Sequence, residues 1–413
     1  MKTTQMTKII LLSSIAAVTL HATNGDNLIA IGTKARGMGG TSMAVSHGAE
    51  SGIANAAMIT TVEGTEITFG GTLFMPEIKT TLAFPNAPLP PQGNLTSDAD
   101  TNMIPSVSIA HKINENWYVG VGMWGTAGMG TDYRGNQNLA VGNLGNMNMV
   151  TNLQLLQFAV PIAYKTGGLS LSIAPVMQYG NLDINYDGVD LNTNTPFSSG
   201  SGLAQDFGFG YNLGLAYDFT ANGIAGLTLG AIYKSAIEMT YDGQLTTATA
   251  PFGLTLPAGD TLEQPAEYGV GIAYVTGQHT FAFDYKKIKW SEAKGYSDFG
   301  WEDSDVYAFG YQYAQDNWAV RVGYNYGASA VVEVADPRLN FFNLLGFPAT
   351  AEKHYTLGGS YAFTDQFSLD LAYVYQQKNT ETFSLQGLSA DPQGTITTSH
   401  REDSVSFQLA YKF

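Results

Sequence analysis

Five apolar residues between positions 128 and 151, namely Leu139, Val141, Leu144, Met147 and Met149, stand among Gly and Asn rather than within an alternating strand. Flexible thioether and aliphatic side chains so placed suit capture of an apolar solute, because Met repacks around ligands of different shape and exposed apolar clusters often mark binding surfaces. The plainer alternative is that they only pack the loop on itself. Just upstream, Trp124-Gly125-Thr126-Ala127-Gly128-Met129-Gly130 puts Gly125, Gly128 and Gly130 within or at the end of a strand. Glycine there predicts a bulge, a kink or the close approach of another backbone, with simple strand termination at Gly125 as the alternative. Seven charges, Lys165, Asp218, Lys234, Asp284, Lys286, Arg321 and Asp370, fall on small-residue faces of alternating segments. Buried ions need partners, so these are expected to hold an inner segment, with Asp26, Arg36 and Glu50 as counterparts. The Arg321 fork could also meet a planar carboxylate, although structural pairing is the expected role.

Catalytic chemistry finds no support in the inventory. His21, His47, His111, His279, His354 and His400 show no metal-ligand spacing, and neither a Gly-x-Ser-x-Gly element nor a phosphate loop is present. The expectation is a non-enzyme without cofactor or metal.

The elements that position these residues are strands. At the C-terminus Val405, Phe407, Leu409, Tyr411 and Phe413 alternate with Ser404, Ser406, Gln408, Ala410 and Lys412. Period-2 alternation makes a strand with one apolar and one polar face. The same pattern recurs with bulky residues on one side and Gly, Ala, Ser, Asn and Asp on the other, as in Phe207 to Phe219 and Phe367 to Gln376. Bulk outside and small polar residues inside describe a membrane barrel with a polar or plugged lumen. Fourteen strands are expected, at 65–77, 103–113, 117–127, 152–165, 168–182, 206–220, 224–241, 265–276, 279–290, 304–315, 317–327, 353–364, 367–379 and 402–413. Short turns alternate with long Gly/Asn/Pro-rich loops, as outer-membrane barrels require, and an even count brings both barrel ends to the periplasmic side. Trp117, Trp290, Trp318, Tyr217, Tyr375 and Tyr411 lie near strand ends, where aromatic girdles are expected.

Composition agrees. Charged residues are only 13% of the chain, about half the usual share for soluble domains, yet residues 65–413 offer no helical span. Lys2 and Lys8 precede the uncharged run Ile9 to Leu20, which is shorter than a spanning helix and is followed, after His21, by small Ala22; residues 1–22 read as a secretory signal peptide. The net charge of −16 speaks against nucleic acid as a partner. Without cysteine, the fold must rest on its hydrogen-bond ladder.

Residues 23–64 do not alternate, are rich in Gly, Ala and Ser, and would be marginal as a separate cysteine-free domain. A fourteen-stranded ring is wider than its own side chains fill, so this segment is expected inside the lumen as a hatch, leaving 65–413 as the barrel. Asn24-Gly25-Asp26-Asn27-Leu28, the run Ala35 to Thr41, and Ser51 to Ala57 resemble the N-terminal region of the FadL/TodX family; Trp318 to Tyr324 and His354 to Gly359 are similar to its later strands. The resemblance implies a monomeric, all-β, 14-stranded antiparallel transmembrane β-barrel with an N-terminal hatch plugging the lumen. It implies passive uptake of long-chain fatty acids or aromatic hydrocarbons, with lateral exit at an inward kink of strand three. The family's hatch motif carries Asn-Pro-Ala where this chain has Asn55, Ala56 and Ala57. Without proline, which fixes φ, the local turn is expected to be looser.

The sequence thus reads as a Gram-negative outer-membrane transporter of hydrophobic compounds: capture at loop 128–151, transit beside the hatch, lateral release at strand three. Outer-membrane lipid, lipopolysaccharide and the barrel-assembly machinery, through strand 402–413, are its expected partners. A general diffusion porin and a structural or adhesion barrel are the competing readings.

Overall fold

The computed structural model describes residues 24–86, 92–136, 147–190, 195–388 and 391–413. The proposed signal peptide and the capture residues Leu139, Val141 and Leu144 lie outside them. In the last strand the alternation becomes three-dimensional: Ser404, Ser406, Gln408 and Ala410 are buried, whereas Val405, Phe407, Leu409 and Tyr411 are exposed on the outer face. The same inversion recurs in other strands, with Phe207, Phe209, Val270, Ile272, Leu371 and Tyr373 outward. This is the expected surface of a protein dissolved in hydrocarbon.

The wall strands are β1 (Thr65–Ala83), β2 (Asn102–Lys112), β3 (Trp117–Asp132), β4a and β4b (Val150–Ala159 and Ile162–Thr166), β5 (Leu169–Asp190), β6 (Ala204–Asp218), β7 (Leu227–Lys234), β8 (Glu267–Thr276), β9 (His279–Ile288), β10 (Ser304–Ala314), β11 (Trp318–Gly327), β12 (Lys353–Ala362), β13 (Phe367–Ser384) and β14 (Thr395–Lys412). β4a and β4b occupy one wall position, interrupted at Val160-Pro161, because both pair with β3 and β5. Two short strands, Gln92–Thr96 and Thr195–Ser199, form ribbons on β1 and β5 at the long-loop end. Neighbours pair antiparallel in chain order, and β1 closes on β14 from Glu66–Lys412 to Ala83–Thr395. A closed ring leaves no edge to satisfy in lipid.

Several strands run further than the sequence pattern indicates. β1, β5 and β13 extend to Ala83, Asp190 and Ser384, and β14 begins at Thr395. Threonines support these extensions: the hydroxyls of Thr80 and Thr398 lie 2.9 Å apart, and those of Thr382 and Thr397 2.8 Å apart. β-Branched residues keep strand geometry where the apolar/polar code no longer applies. β7, expected over 224–241, stops at Lys234, and the chain then turns over the barrel mouth. Helices α3 (Leu245–Thr249) and α4 (Pro337–Gly346) occupy segments expected to be plain loops.

Candidate functional site

Residues 24–62 touch the inner face of the ring on every side. Leu28 N donates to Thr126 O on β3 (3.3 Å), Ala49 N to Glu66 on β1 (3.0 Å), and Arg36 Nη2 to Ser404 on β14 (2.6 Å). Ser42 N donates to Asp284 on β9 (2.7 Å), Gly39 N to Thr356 on β12 (2.9 Å), and Asn55 Nδ2 to Leu215 O on β6 (3.0 Å). The segment is therefore a plug within the lumen. It comprises a tight turn at Asn24–Asn27, helix α1 (Thr33–Gly37), helix α2 (Ser51–Ala54) and a 3-10 turn Ala56–Thr61. Small residues let it seat: a Cβ on Gly230 of β7 would lie 1.9 Å from Met43 O, and one on Gly323 of β11 would lie 2.1 Å from Gly39 N.

Asn55 compensates for the absent proline. Its Oδ1 accepts from Ala57 N (3.1 Å), capping the 3-10 turn, while Nδ2 also donates to Met43 O (2.7 Å). Ala56 stands at the first helical position, which proline would fit, and the cap supplies the order that proline would pre-set. The turn is thus tied down rather than loose.

The charges pair differently from the expected scheme. Asp218 is not lumenal; it is exposed at the short-turn end and caps the turn after β6 by accepting from Thr220 N (2.9 Å). It has the parity of inward residues but lies at the rim. Lys34, not Arg36 or Glu50, reaches Asp370 (3.7 Å). Arg321 donates from Nε to Gln312 (2.7 Å) and from Nη1 to Ser360 (2.6 Å), and Ser360 donates on to Asp370. Lys165 approaches Thr60 O at 3.5 Å. Lys234 and Lys286 share Glu267, at 3.4 and 3.8 Å. Asp284 takes the backbone N–H groups of Ser42 and Met43. Glu50 is fully buried and accepts from Ala35 N (3.1 Å); desolvation pushes its carboxyl up to about 7, against the pull of Lys34. Burial likewise raises Asp26 to about 6, partly offset by hydrogen bonds from Tyr296 and Gln264. Buried carboxylates without a direct cation bind protons more readily.

Above the hatch, the long loops close into an apolar cap. Phe341, Phe342, Leu344 and Leu345 of α4 are buried and join Tyr186, Met147 and Met149 in one cluster. Ring centroids of Phe342 lie 4.8 Å from Phe252 and 6.4 Å from Tyr186. Met147 and Met149, expected on an exposed ledge, are instead buried in this cluster. Trp290, expected in a girdle, is also fully buried, with Tyr296 and Trp301 at 4.8 and 5.1 Å; Trp117 and Trp318 remain exposed near the short turns. Between hatch and wall lies a cavity of about 70 Å³, with Leu28, Ile29, Ile31 and Ile53 on one side and Lys234, Glu267 and Lys286 on the other.

The wall itself changes beside β3. The β2–β3 ladder runs from Lys112–Tyr118 to Ser106–Trp124 and goes no further. Where β2 continues as Ile104-Pro105, its partner position on β3 is taken by the hatch: Asn27 bridges Ala127, flanked by Leu28 N to Thr126 O and Gly128 N to Asp26 O (3.0 Å). On its other side, the β3–β4a ladder shifts register between Gly125 and Ala127. Gly130 lies beyond this shift, packed so closely on β4a that a Cβ would meet Thr151 O at 2.0 Å.

Residues 14–413 match the model of the outer membrane protein transport protein family (OMPP1/FadL/TodX). The chain belongs to the FadL/TodX family. It is an outer-membrane transport protein of Gram-negative type, and its family consists of transport proteins rather than enzymes. As a FadL/TodX chain it is 25% identical to a 47 kDa outer membrane protein of Pasteurella multocida strain Pm70, covering 94% of this chain and 95% of the relative. It is 26% identical to a long-chain fatty acid transport protein of Escherichia coli O6:H1 strain CFT073, covering 69% and 72%. In fold it resembles a Pseudomonas aeruginosa FadL homologue (TM-score 0.70, 15% identity, 96% and 100% covered) and the P. putida toluene transporter TodX (TM-score 0.68, 17% identity, 95% and 99% covered).

Within this FadL/TodX barrel, sequence reasoning missed the contribution of α4 and of the aromatic trio. Asp336-Pro337 signals α4, since Asp accepts from Arg338 N (3.0 Å) and Pro occupies the first helical turn, a start pattern readable beforehand. Pro105 was a second signal: proline within a strand belongs beside an unpaired edge.

Proposed function

We propose that this protein carries hydrophobic compounds, long-chain fatty acids or aromatic hydrocarbons, passively across the outer membrane and releases them sideways between β2 and β3. The observation that carries this reading is the exchange of ladder partners beyond Ser106–Trp124, where hatch backbone stands in for wall backbone. Unpaired strand groups are not tolerated against hydrocarbon, so a stand-in partner allows the wall to end there without leaving those groups bare. A stand-in tied by few bonds can also leave. The cargo class is supported by relatives named for long-chain fatty acids and for toluene.

Capture is assigned to the connection between β3, which runs to Asp132, and β4a, which starts at Val150, with Met147 and Met149 leading from it into the aromatic cap. The cavity of about 70 Å³ is well below the roughly 150 Å³ of a cavity that binds benzene; cargo passes when the hatch shifts. Both lysines at that cavity are engaged by Glu267, with Asp284 and Asp26 nearby. It therefore presents no surplus positive charge and suits an uncharged solute, or the apolar tail of an acid, better than a free carboxylate.

The test is uptake of oleate and toluene into proteoliposomes beside a small sugar. Apolar uptake with slow sugar entry is expected; rapid sugar entry without apolar uptake returns the protein to the porins. Gly125→Val probes the exit. A Cβ there would lie 2.6 Å from Ile104 Cγ2 and 3.6 Å from Pro105 Cδ, so a branched side chain fills the space between β2 and β3. Uptake should fall at least about tenfold, corresponding to ~1.4 kcal/mol on the barrier, while the barrel stays heat-modifiable on gels. Unchanged uptake rejects the lateral exit. Gly130 is unsuited to this test because its neighbour is backbone.

A further inference from the structure

We infer that Asp26 is a proton-operated latch: its side chain fastens the hatch tip to the external segment 289–303, and protonation of that carboxyl holds the side exit shut. The inference rests on the lateral-exit reading above. Its basis is that one residue joins three parts of the molecule. Asp26 O accepts from Gly128 N of β3 (3.0 Å), while its carboxylate accepts from the Tyr296 hydroxyl and from Gln264 Nε2 (3.2 Å). The turn carrying it, closed by Asn24 N to Asn27 O (2.8 Å), packs against the Trp290 ring. Gly25, at φ 73°, is required there, since a Cβ would come within 2.3 Å of that ring.

The surroundings offer this carboxyl no compensating charge. Segment 289–303 contributes Tyr296, segment 235–266 contributes Tyr241 and Gln264, and β8 contributes Glu267, whose own cations are Lys234 of β7 and Lys286 of β9. Among the described residues, no cation pairs with Asp26. Burial raises its carboxyl from an ordinary 3.8 to about 6. The closed form therefore holds the proton more tightly than an open, solvated one. Closure is most favoured in acid, and the advantage is lost progressively as pH rises from 3.8 to about 6, staying lost above.

The experiment uses the cysteine-free chain carrying Leu28→Cys, a position packed against Phe74 and Ile104 beside the gap. Its labelling rate by a soluble thiol reagent is compared, at each pH, with the same cysteine in an Asp26→Asn background, so that thiol ionisation cancels. The ratio should rise about tenfold between pH 5 and pH 7.5, as expected for a shift from 3.8 to about 6 under proton linkage. Tyr296→Phe removes a donor that favours the charged carboxylate, and should speed labelling more at pH 7.5 than at pH 5. A ratio flat across this range, or Asp26→Asn labelling faster than the parent at pH 7.5, overturns the latch. Uptake of toluene, which does not titrate, should follow the labelling. If labelling follows pH and uptake does not, the latch stands and the lateral exit falls.

Discussion

Oxidised Asn27→Cys/Ala127→Cys protein should carry almost no apolar cargo, and a reductant should restore transport. The two positions form an antiparallel bridge between hatch and β3. The flanking bonds, Leu28 N to Thr126 O and Gly128 N to Asp26 O, make it a non-hydrogen-bonded pair, in which Cα atoms lie about 4.5 Å apart and side chains approach closely. A disulfide accepts Cα separations of roughly 4.4–6.8 Å, so the bond can form without moving either backbone. The natural chain has no cysteine, which leaves one possible pairing. Substitution alone pushes the other way. Asn27 Nδ2 donates to Glu267 Oε1 (3.0 Å), and its Oδ1 accepts from Gln264 Nε2 (2.9 Å); losing both loosens the tip. Reduced protein should therefore transport at least as fast as the parent, and oxidised protein at least about tenfold slower, an effect of ~1.4 kcal/mol or more. Undiminished toluene or oleate uptake by protein whose cross-link is proven by mass spectrometry rejects passage at this gap.

The wall was legible because a strand in hydrocarbon obeys a two-residue code throughout its length. Val405 to Phe413 is readable as a lipid-facing strand from side-chain size alone, and the register Thr68–Ala410, Gly70–Gln408, Thr72–Ser406 puts small or polar residues inward on both strands. The code fails where the wall leaves the membrane. β14 begins at Thr395, in a Thr- and Ser-rich stretch with no apolar face to read. The gap was half legible: Gly125 indicated irregularity, but the identity of the substitute partner depends on a contact spanning about a hundred positions of sequence, from Asn27 to Ala127. Hatch pairing was the least legible part. Expecting carboxylates to meet cations overlooks the backbone, which donates to Asp284 through Ser42 and Met43 and leaves no trace in residue type. Trp290 illustrates the same limit. Just past the end of β9 a tryptophan suits an interfacial girdle, but Tyr296, Trp301 and the Gly25 turn pack against its ring and bury it.

Arg36→Met should unseat the hatch while leaving the ring closed. The Arg36 guanidinium is buried on α1; it donates from Nη2 to Ser404 Oγ (2.6 Å) and from Nη1 to Ala30 O (3.1 Å). Burial lowers its pKa to about 10, and Glu402 is the charge that pulls it back. Methionine matches the aliphatic stem but removes the cation and its hydrogen bonds. Hydrogen bonds to a charged group are worth about 1.5–3 kcal/mol each, and the two lost here hold α1 to Ala30 and to β14. Glu402 keeps His400 at 3.1 Å and His354 at 3.7 Å, and the ladder of β14 with β1 and β13 uses no hatch atom. Amide exchange across residues 24–62 should accelerate about a hundredfold or more, the equivalent of at least ~3 kcal/mol, while the wall strands exchange as before. Small sugars, excluded by a seated plug, should then enter proteoliposomes. Unaltered exchange in the hatch would mean that its seating rests on close backbone packing, as at Gly39 and Gly323, with the buried Arg36 contributing little.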